Sequence, residues 1–169
     1  MALTSSLAVS ASGTLTSVLD LGTGSAPQAV SRSMSLTSGT TAGKADRLFA
    51  DRRTLAASAT EDLDLAGVLL DAYGAAITFA RIKGIVIAAA AANTNNVVVG
   101  AAASTPWATL LSATGTVTLR PGAFIAVGTG SADATGYAVT AGTGDLLKVL
   151  NSAAGTSVTY DIHIIGASA

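Results

Sequence analysis

The only histidine of the chain, His163, lies two residues from Asp161 in the segment 160–165. Side chains two apart on a β-strand share a face, so this carboxylate and imidazole could act together as a general base. The same pattern is typical of a polar or interfacial face on a closing strand. No Gly-x-Ser-x-Gly nucleophile motif accompanies the pair. We therefore expect no catalytic residue and no enzymatic activity, with His163 as the one residue to test.

The sequence offers few ligands for a metal or a cofactor. It has no cysteine and one histidine, which practically excludes a zinc site. Glu61, Asp62 and Asp64 supply three carboxylates without EF-hand spacing, so calcium is a weaker alternative. The glycine clusters at 22–24 and 142–144 lack the third glycine of a dinucleotide-binding fingerprint and predict hairpin turns. We expect neither a metal nor a cofactor.

Charge is unusually scarce in this chain. Charged residues make up 11% of it, against about 25% in an ordinary domain, whereas 50% is hydrophobic and the mean hydropathy is +0.57. The longest apolar run, residues 85–92, is far shorter than the roughly 20 residues of a spanning helix, and no basic leader segment is visible. We expect no membrane association. A net charge of −1 predicts no nucleic-acid partner.

A surface with so few charges resists association poorly. Either neighbouring molecules cover much of it, or a genome rich in Ala and Gly codons has shaped the composition; the two explanations are compatible. We expect an oligomer that packs against a larger assembly.

The chain divides into an N-terminal arm, residues 1–43, and a β-domain, residues 44–169. The arm is rich in Ser, Thr and Gly, with β-runs predicted at 3–10 and 14–21, breaks at Ser12-Gly13 and at 22–24, and a half-exposed strand at 30–36. The β-domain carries seven or eight β-segments at 8–12-residue spacing. This pattern predicts an all-β antiparallel sandwich, with the eight-stranded jelly roll as the specific expectation, and an extended N-terminal arm.

Four local predictions concern the β-domain. Residues 79–92 are typical of a buried central strand, and the Asn-rich turn at 93–96 predicts a hairpin with 97–100. Residues 65–73 are a short helix candidate. Residues 44–64 hold nine of the 19 formal charges, and extended structure is favoured there over a helix. Six of these residues are candidate oligomer or capsid contacts, although the same charges would equally suit a solvated face: Lys44, Asp46, Arg47, Asp51, Arg52 and Arg53.

Four segments of the sequence resemble a recurrent virion protein of tailed bacteriophages. They are residues 45–65 (ADR…RTLAASATEDLDL), 93–100 (NTNNVVVG), 133–147 (DATGYAVTAGTGDLL) and 159–166 (TYDIHIIG). The general type is similar to the jelly-roll decoration, or cement, proteins of phage capsids. No part of residues 1–40 contributes to the resemblance.

The resemblance implies a protein on the outer capsid surface of the virion, made in the host cytoplasm. It would bind the major capsid protein and bridge its subunits to stabilise the head. It would also bind itself, with a homotrimer favoured and a dimer possible. The arm would become ordered on the capsid or exchange with a neighbour, and strand addition at exposed edges is a plausible mode of contact.

The alternative function is a tail- or fibre-associated jelly-roll module that recognises a host surface glycan. Sugar-binding surfaces use exposed aromatic side chains, and the sequence has one Trp, three Tyr and three Phe. Trp107 follows a proline in a predicted loop. A single aromatic residue is more often a core or interface anchor, so this alternative is the weaker one.

Overall fold

The structure, a computed structural model, describes residues 2–169, and within them it contains twelve β-strands and one short helix. The strands are β1 (Ser5–Leu19), β2 (Gly22–Ser38), β3 (Lys44–Ala45), β4 (Arg47–Leu55), β5 (Thr60–Asp64), β6 (Arg81–Ala89), β7 (Val97–Gly100), β8 (Thr116–Leu119), β9 (Phe124–Gly128), β10 (Tyr137–Ala138), β11 (Leu146–Asn151) and β12 (Val158–Ala167), and the helix is α1 (Ala108–Leu111). The expected all-β antiparallel sandwich is confirmed.

Two antiparallel sheets form the body of the molecule. Sheet I has the order β9-β6-β12-β4, with β10 pairing with the beginning of β6 on the same side as β9. Sheet II has the order β5-β11-β7-β8. Strands from the first half of the body pair with strands from the second half in reverse order: β4 with β12, β5 with β11, β6 with β9, and β7 with β8.

The core lies between the two sheets and follows from period-2 alternation. On β12, Tyr160, Ile162 and Ile164 are buried, whereas Asp161 between them is exposed. Leu147 and Val149 of β11 enter the core from the opposite sheet in the same way. Burying each such aliphatic side chain contributes about 1.5–3 kcal/mol, so register is strongly specified in the body.

The first two strands form one long hairpin, residues 5–38, which lies within the predicted N-terminal arm and is the segment meant by the arm from here on. Pairing is unbroken from Ser5 opposite Leu36 to Leu19 opposite Gly22. The predicted break at Ser12-Gly13 is wrong, because Gly13 lies within β1. The turn predicted at 22–24 is displaced, because the chain reverses at residues 20–21 and residues 22–24 begin β2. A glycine weakens a strand locally, but the cross-strand pairs formed by the residues before and after it keep the strand extended.

Two further local predictions are wrong. The predicted hairpin between β6 and β7 does not form, because residues 90–96 carry the chain from sheet I to sheet II. The predicted helix at 65–73 is instead a series of turns. There the Asp64 carboxylate accepts a hydrogen bond from the Ala66 amide, and the Asp71 carboxylate accepts from the Tyr73 amide, and such local bonds compete with helix formation. The extended prediction for the charged segment is confirmed by β4 and β5.

Candidate functional site

The arm has two chemically different faces. Directly paired residues on antiparallel strands share a face, so the register divides the arm without ambiguity. The apolar face carries Leu7, Val9, Ala11, Leu15, Leu19, Ala26, Val30, Met34 and Leu36, together with Ser5, Ser17, Gln28 and the glycines at 13, 22 and 24, and Arg32 is its charged member. The opposite face carries mainly hydroxyl groups, from Ser6, Ser10, Ser12, Thr14, Thr16, Thr23, Ser25, Ser31, Ser33 and Ser35.

The base of the arm packs on the outside of sheet I. Met34 and Leu36 are 5% and 2% exposed and form a small cluster with Ile165 of β12. Two glycines beneath them, Gly84 of β6 and Gly128 of β9, lie opposite each other in the sheet. Because neither has a side chain, the arm can approach the sheet closely at this point.

Beyond this base the apolar face of the arm is uncovered. Leu15 is 75% exposed, Leu19 60% and Val30 54%. Exposed apolar residues are ordinary when scattered singly, but here they are aligned on one face of one ribbon. They continue the stripe that Leu7 and Met34 begin, so the same face is buried at its base and exposed along the rest of its length.

The outside of sheet I also has an uncovered apolar part. Alternation directs Ile85 and Ile87 of β6 into the core, so Val86 and Ala88 lie on the outside. Neighbouring strands place further residues beside them by register: Ala50, His163, Ala126 and Phe124. Phe124 is 65% exposed. We call Ala50, Val86, Ala88, Phe124, Ala126 and His163 the outer patch of sheet I.

Arg52 and Asp161 border the outer patch and bind each other. Arg52 Nε and Nη2 donate to the two carboxylate oxygens of Asp161 over 2.6 and 2.9 Å. This bidentate hydrogen bonding holds the pKa of Asp161 below its ordinary value and raises that of Arg52. Asp161 is therefore committed to Arg52, and no hydrogen bond or ion pair joins it to His163.

His163 is half-buried within the outer patch. Its neighbours across the ladders are Ala50 and Val86, neither of which offers a hydrogen bond from its side chain. Burial lowers the pKa of the imidazole. His163 therefore lacks the oriented carboxylate that a general base requires.

The six predicted contact residues divide into separate groups. Asp46 accepts hydrogen bonds from the Ser168 amide and hydroxyl at 2.8 and 2.6 Å and pairs with Arg47 at 3.1 Å. Arg53 pairs with Glu61 at 2.9 Å and with Asp51 at 3.3 Å. Asp46 thus ties the beginning of β4 to the end of β12, and Arg53 ties β4 to β5.

The remaining two predicted contact residues face solvent more openly. Lys44 is exposed on β3, and the Arg52 side chain is 74% exposed. The structure thus does not bring the six residues into one patch.

The ion pair of Arg53 belongs to a larger partly buried cluster. The Arg53 guanidinium lies 5.8 Å from the centroid of the Phe49 ring, within cation–π range. The hydroxyl of Tyr160, a buried residue, donates to Glu61 at 2.6 Å. Desolvation and the Glu61 carboxylate raise the pKa of Tyr160, so its hydroxyl stays protonated and donating. The cluster joins β4, β5 and β12 at one side of the sandwich.

Trp107 is a core anchor. It is 3% exposed, its indole N–H donates to the Ala138 carbonyl at 2.8 Å, and its ring meets Tyr137 edge-on at 6.4 Å. It therefore offers no platform for a sugar. The exposed aromatic side chains are Tyr73 and Phe124, at 80% and 65%.

Within residues 2–169 the structure brings together no group of three or more His, Asp or Glu side chains that could hold a metal ion. Glu61 is already engaged by Arg53 and Tyr160. The same residues include no helix of the length and apolarity needed to cross a membrane.

Comparisons of this chain with known protein families, with curated proteins and with solved structures find no match.

Proposed function

We propose that this chain is a structural protein of a tailed-bacteriophage virion that decorates the outer surface of the head and bridges subunits of the major capsid protein. The pairing of β4 with β12, β5 with β11, β6 with β9 and β7 with β8 supports a jelly roll, because that fold is a long antiparallel hairpin rolled into two four-stranded sheets. Jelly-roll domains are common in capsids, and the segments that resemble phage virion proteins lie in this body.

The observation that carries the proposal is the arm. An isolated two-stranded hairpin is marginally stable in water and needs a packed face. Here one face of the ribbon is apolar and is covered only at its base. A protein that works as one part of an assembly has neighbours to cover the rest, whereas a free monomer would expose a large apolar patch.

The capsid contact is proposed to involve the exposed charges, with Lys44 and Arg52 as its first members. The proposed contact set also keeps the other four residues, Asp46, Arg47, Asp51 and Arg53. They would act indirectly, by holding β4 in place in the body. A closed oligomer, with a trimer favoured for a three-fold position of the head, would present several such contacts at once and gain affinity from multivalency.

The decisive experiment is to locate and count the protein in virions of the phage that encodes it. We expect hundreds of copies per particle by quantitative mass spectrometry, and density for the sandwich on the outside of the head by cryo-electron microscopy. A handful of copies confined to the tail would overturn the proposal.

The exposed Tyr73 and Phe124 favour one alternative, a tail- or fibre-associated module that binds a host glycan. Aromatic rings stack on sugar faces, and these two are the exposed aromatic side chains of the structure. Retention of purified protein on bacterial cell-wall glycan, abolished by Tyr73→Ala or Phe124→Ala, would support this alternative. No retention by either the parent or the variants would exclude it.

A further inference from the structure

We propose that the uncovered apolar face of the arm binds the outer patch of sheet I on a second copy of this chain. This contact would form in the purified protein, whether or not a capsid is present. The contact has two halves, which are the arm from Ala11 to Val30 on one copy and the outer patch on the other.

A contact of the same kind, between the base of the arm and the outside of sheet I, exists inside each copy. Leu7 and Met34 of the arm lie on Gly84 and Gly128, which belong to the outside of sheet I. The outer patch continues that surface along the same strands, from Gly84 to Val86 and Ala88 on β6. The apolar face of the arm is therefore covered at its base and exposed beyond it. The outside of sheet I is likewise covered by the arm at Gly84 and Gly128 and exposed at the outer patch.

The path of the arm directs its uncovered segment away from its own body. From the base the ribbon crosses β12 and β6 and passes β9, where Leu7, Val9, Arg32 and residues 128–130 line a shallow groove. β9 is an edge strand, paired only with β6 in the described chain. Residues 11–19 continue beyond it for about 30 Å at strand geometry. Their exposure shows that their own sheet does not cover them.

The charges of the two surfaces fit each other. Asp20 and Arg32 are the only charged residues among residues 1–43. The outer patch contains no charged group apart from the titratable His163, and the Arg52–Asp161 pair at its border is internally neutralised. A ribbon whose paired residues between Ala11 and Val30 carry no charge is suited to such a surface and poorly suited to nucleic acid or to a strongly charged partner.

The area available is sufficient for a stable pair of molecules. A two-stranded ribbon about 30 Å long and about 10 Å wide presents roughly 300 Å² on one face. If two copies exchange arms, two ribbons and two receiving surfaces bury roughly 1,200 Å² in total, which is the lower end of the range for specific interfaces. A cyclic trimer would bury about half as much again and close in the same way.

The first test measures self-association of the purified full-length chain by sedimentation velocity over a range of concentrations. We expect an oligomer at micromolar concentration, and at least tenfold weaker association for the double variant Leu15→Ser/Val30→Ser. The matched control is Val18→Ser, which removes an 87% exposed valine from the hydroxyl face of the same arm and should leave association unchanged. A monomeric parent chain, or an equal effect of the control, would overturn the inference.

The second test identifies the receiving surface and uses the absence of cysteine from the chain. Leu15→Cys and Ala126→Cys variants, carrying different affinity tags, are mixed and treated with a short bismaleimide. We expect more crosslinked product between Leu15→Cys and Ala126→Cys than between two copies of either variant. Val18→Cys in place of Leu15→Cys should give little crosslinking to Ala126→Cys. Preferential linkage of Leu15→Cys to itself would instead indicate arms paired edge to edge and would contradict the proposal.

The two tests separate this inference from the proposed capsid function. Self-association with the expected crosslink can hold in a protein that never binds a capsid. Conversely, a chain that is monomeric in solution could still decorate a capsid. That result would contradict the arm exchange but not the proposed function.

Discussion

Met34 of the arm lies directly over Gly84 of β6, so closely that a Cβ atom on residue 84 would overlap the Met34 Cε methyl group. On the neighbouring strand, a Cβ atom on Gly128 would lie 3.0 Å from Leu7 Cδ2. Because these two glycines have no side chains, the base of the arm packs closely against the sheet at this point.

Replacing Gly84 by valine should lift the arm from the sheet. The Cβ atom overlaps the terminal methyl group of Met34, and the two further methyl groups of valine crowd Met34 and Leu7. Overpacking of this kind costs about 1–3 kcal/mol. Because the body does not depend on this contact, we expect the loss to appear as faster amide hydrogen exchange in residues 5–38, with β6, β11 and β12 still protected.

The control is Gly13→Val, in the uncovered part of the same arm, where a Cβ atom would meet nothing within 4 Å. Exchange of the arm should be unchanged or slower in this variant, since valine favours strands. Equal loosening of the arm by both substitutions would contradict the role given to Gly84.

Removing the Tyr160 hydroxyl should destabilise the sandwich. Tyr160→Phe eliminates the 2.6 Å hydrogen bond to Glu61 and leaves that carboxylate with Arg53 alone, so we expect a loss of about 1–2 kcal/mol in the free energy of unfolding in urea. Tyr137→Phe is the control, because the Tyr137 hydroxyl makes no hydrogen bond among residues 2–169 and its loss should change stability by less than about 0.5 kcal/mol. Similar losses in both variants would refute the claim.

Asn151 should be the most sensitive amide of the body. It is 1% exposed, its side-chain NH₂ donates to the carbonyls of Ala56 and Thr156 at 2.9 and 2.8 Å, and its oxygen accepts from Asn95 at 3.0 Å. Asn151→Leu keeps the number and branching of the side-chain heavy atoms, but it adds volume at a buried site and leaves these groups unpaired, with an expected cost of about 2–4 kcal/mol by urea denaturation.

Asn96→Leu serves as the comparison for this substitution. The Asn96 side chain makes no hydrogen bond to the described part of the chain, so little loss is expected there. If Asn151→Leu unfolds at the same urea concentration as the parent chain, the network contributes nothing to stability.

His163 should make the protein less stable in mild acid. Burial lowers its pKa in the folded state, so below the ordinary pKa of 6.5 the unfolded chain binds the proton more readily than the folded one. The free energy of unfolding therefore falls as pH falls from about 6.5 toward the lowered pKa. The charged groups on the same sheet face, Arg52 and Asp161, do not titrate in this window, because each is held in its charged form by the other.

The measurement is the difference in stability between about pH 7.5 and about pH 5.5, for the parent chain and for His163→Gln. The variant should lose less stability on acidification than the parent. Parallel pH dependences in the two proteins would show that His163 does not contribute.

The sequence by itself determined the class of the fold. Alternation along β11 and β12, turn residues at short intervals and the shortage of helix signals predicted an all-β sandwich, because side chains of a half-buried strand must alternate between core and solvent. It also showed that Trp107 was better suited to an anchoring role, and that Lys44 to Asp64 is extended.

Only the tertiary structure decided which strands are partners. The turn at residues 93–96 looks locally like a hairpin, yet β6 and β7 belong to different sheets, because strand choice depends on long-range pairing of β6 with β12 and β9. The glycines at 13 and 22–24 look like breaks, yet a continuous ladder overrides them. Likewise, alternation at Leu7, Val9 and Ala11 marks a face, but only the fold shows where that face is covered and where it is exposed.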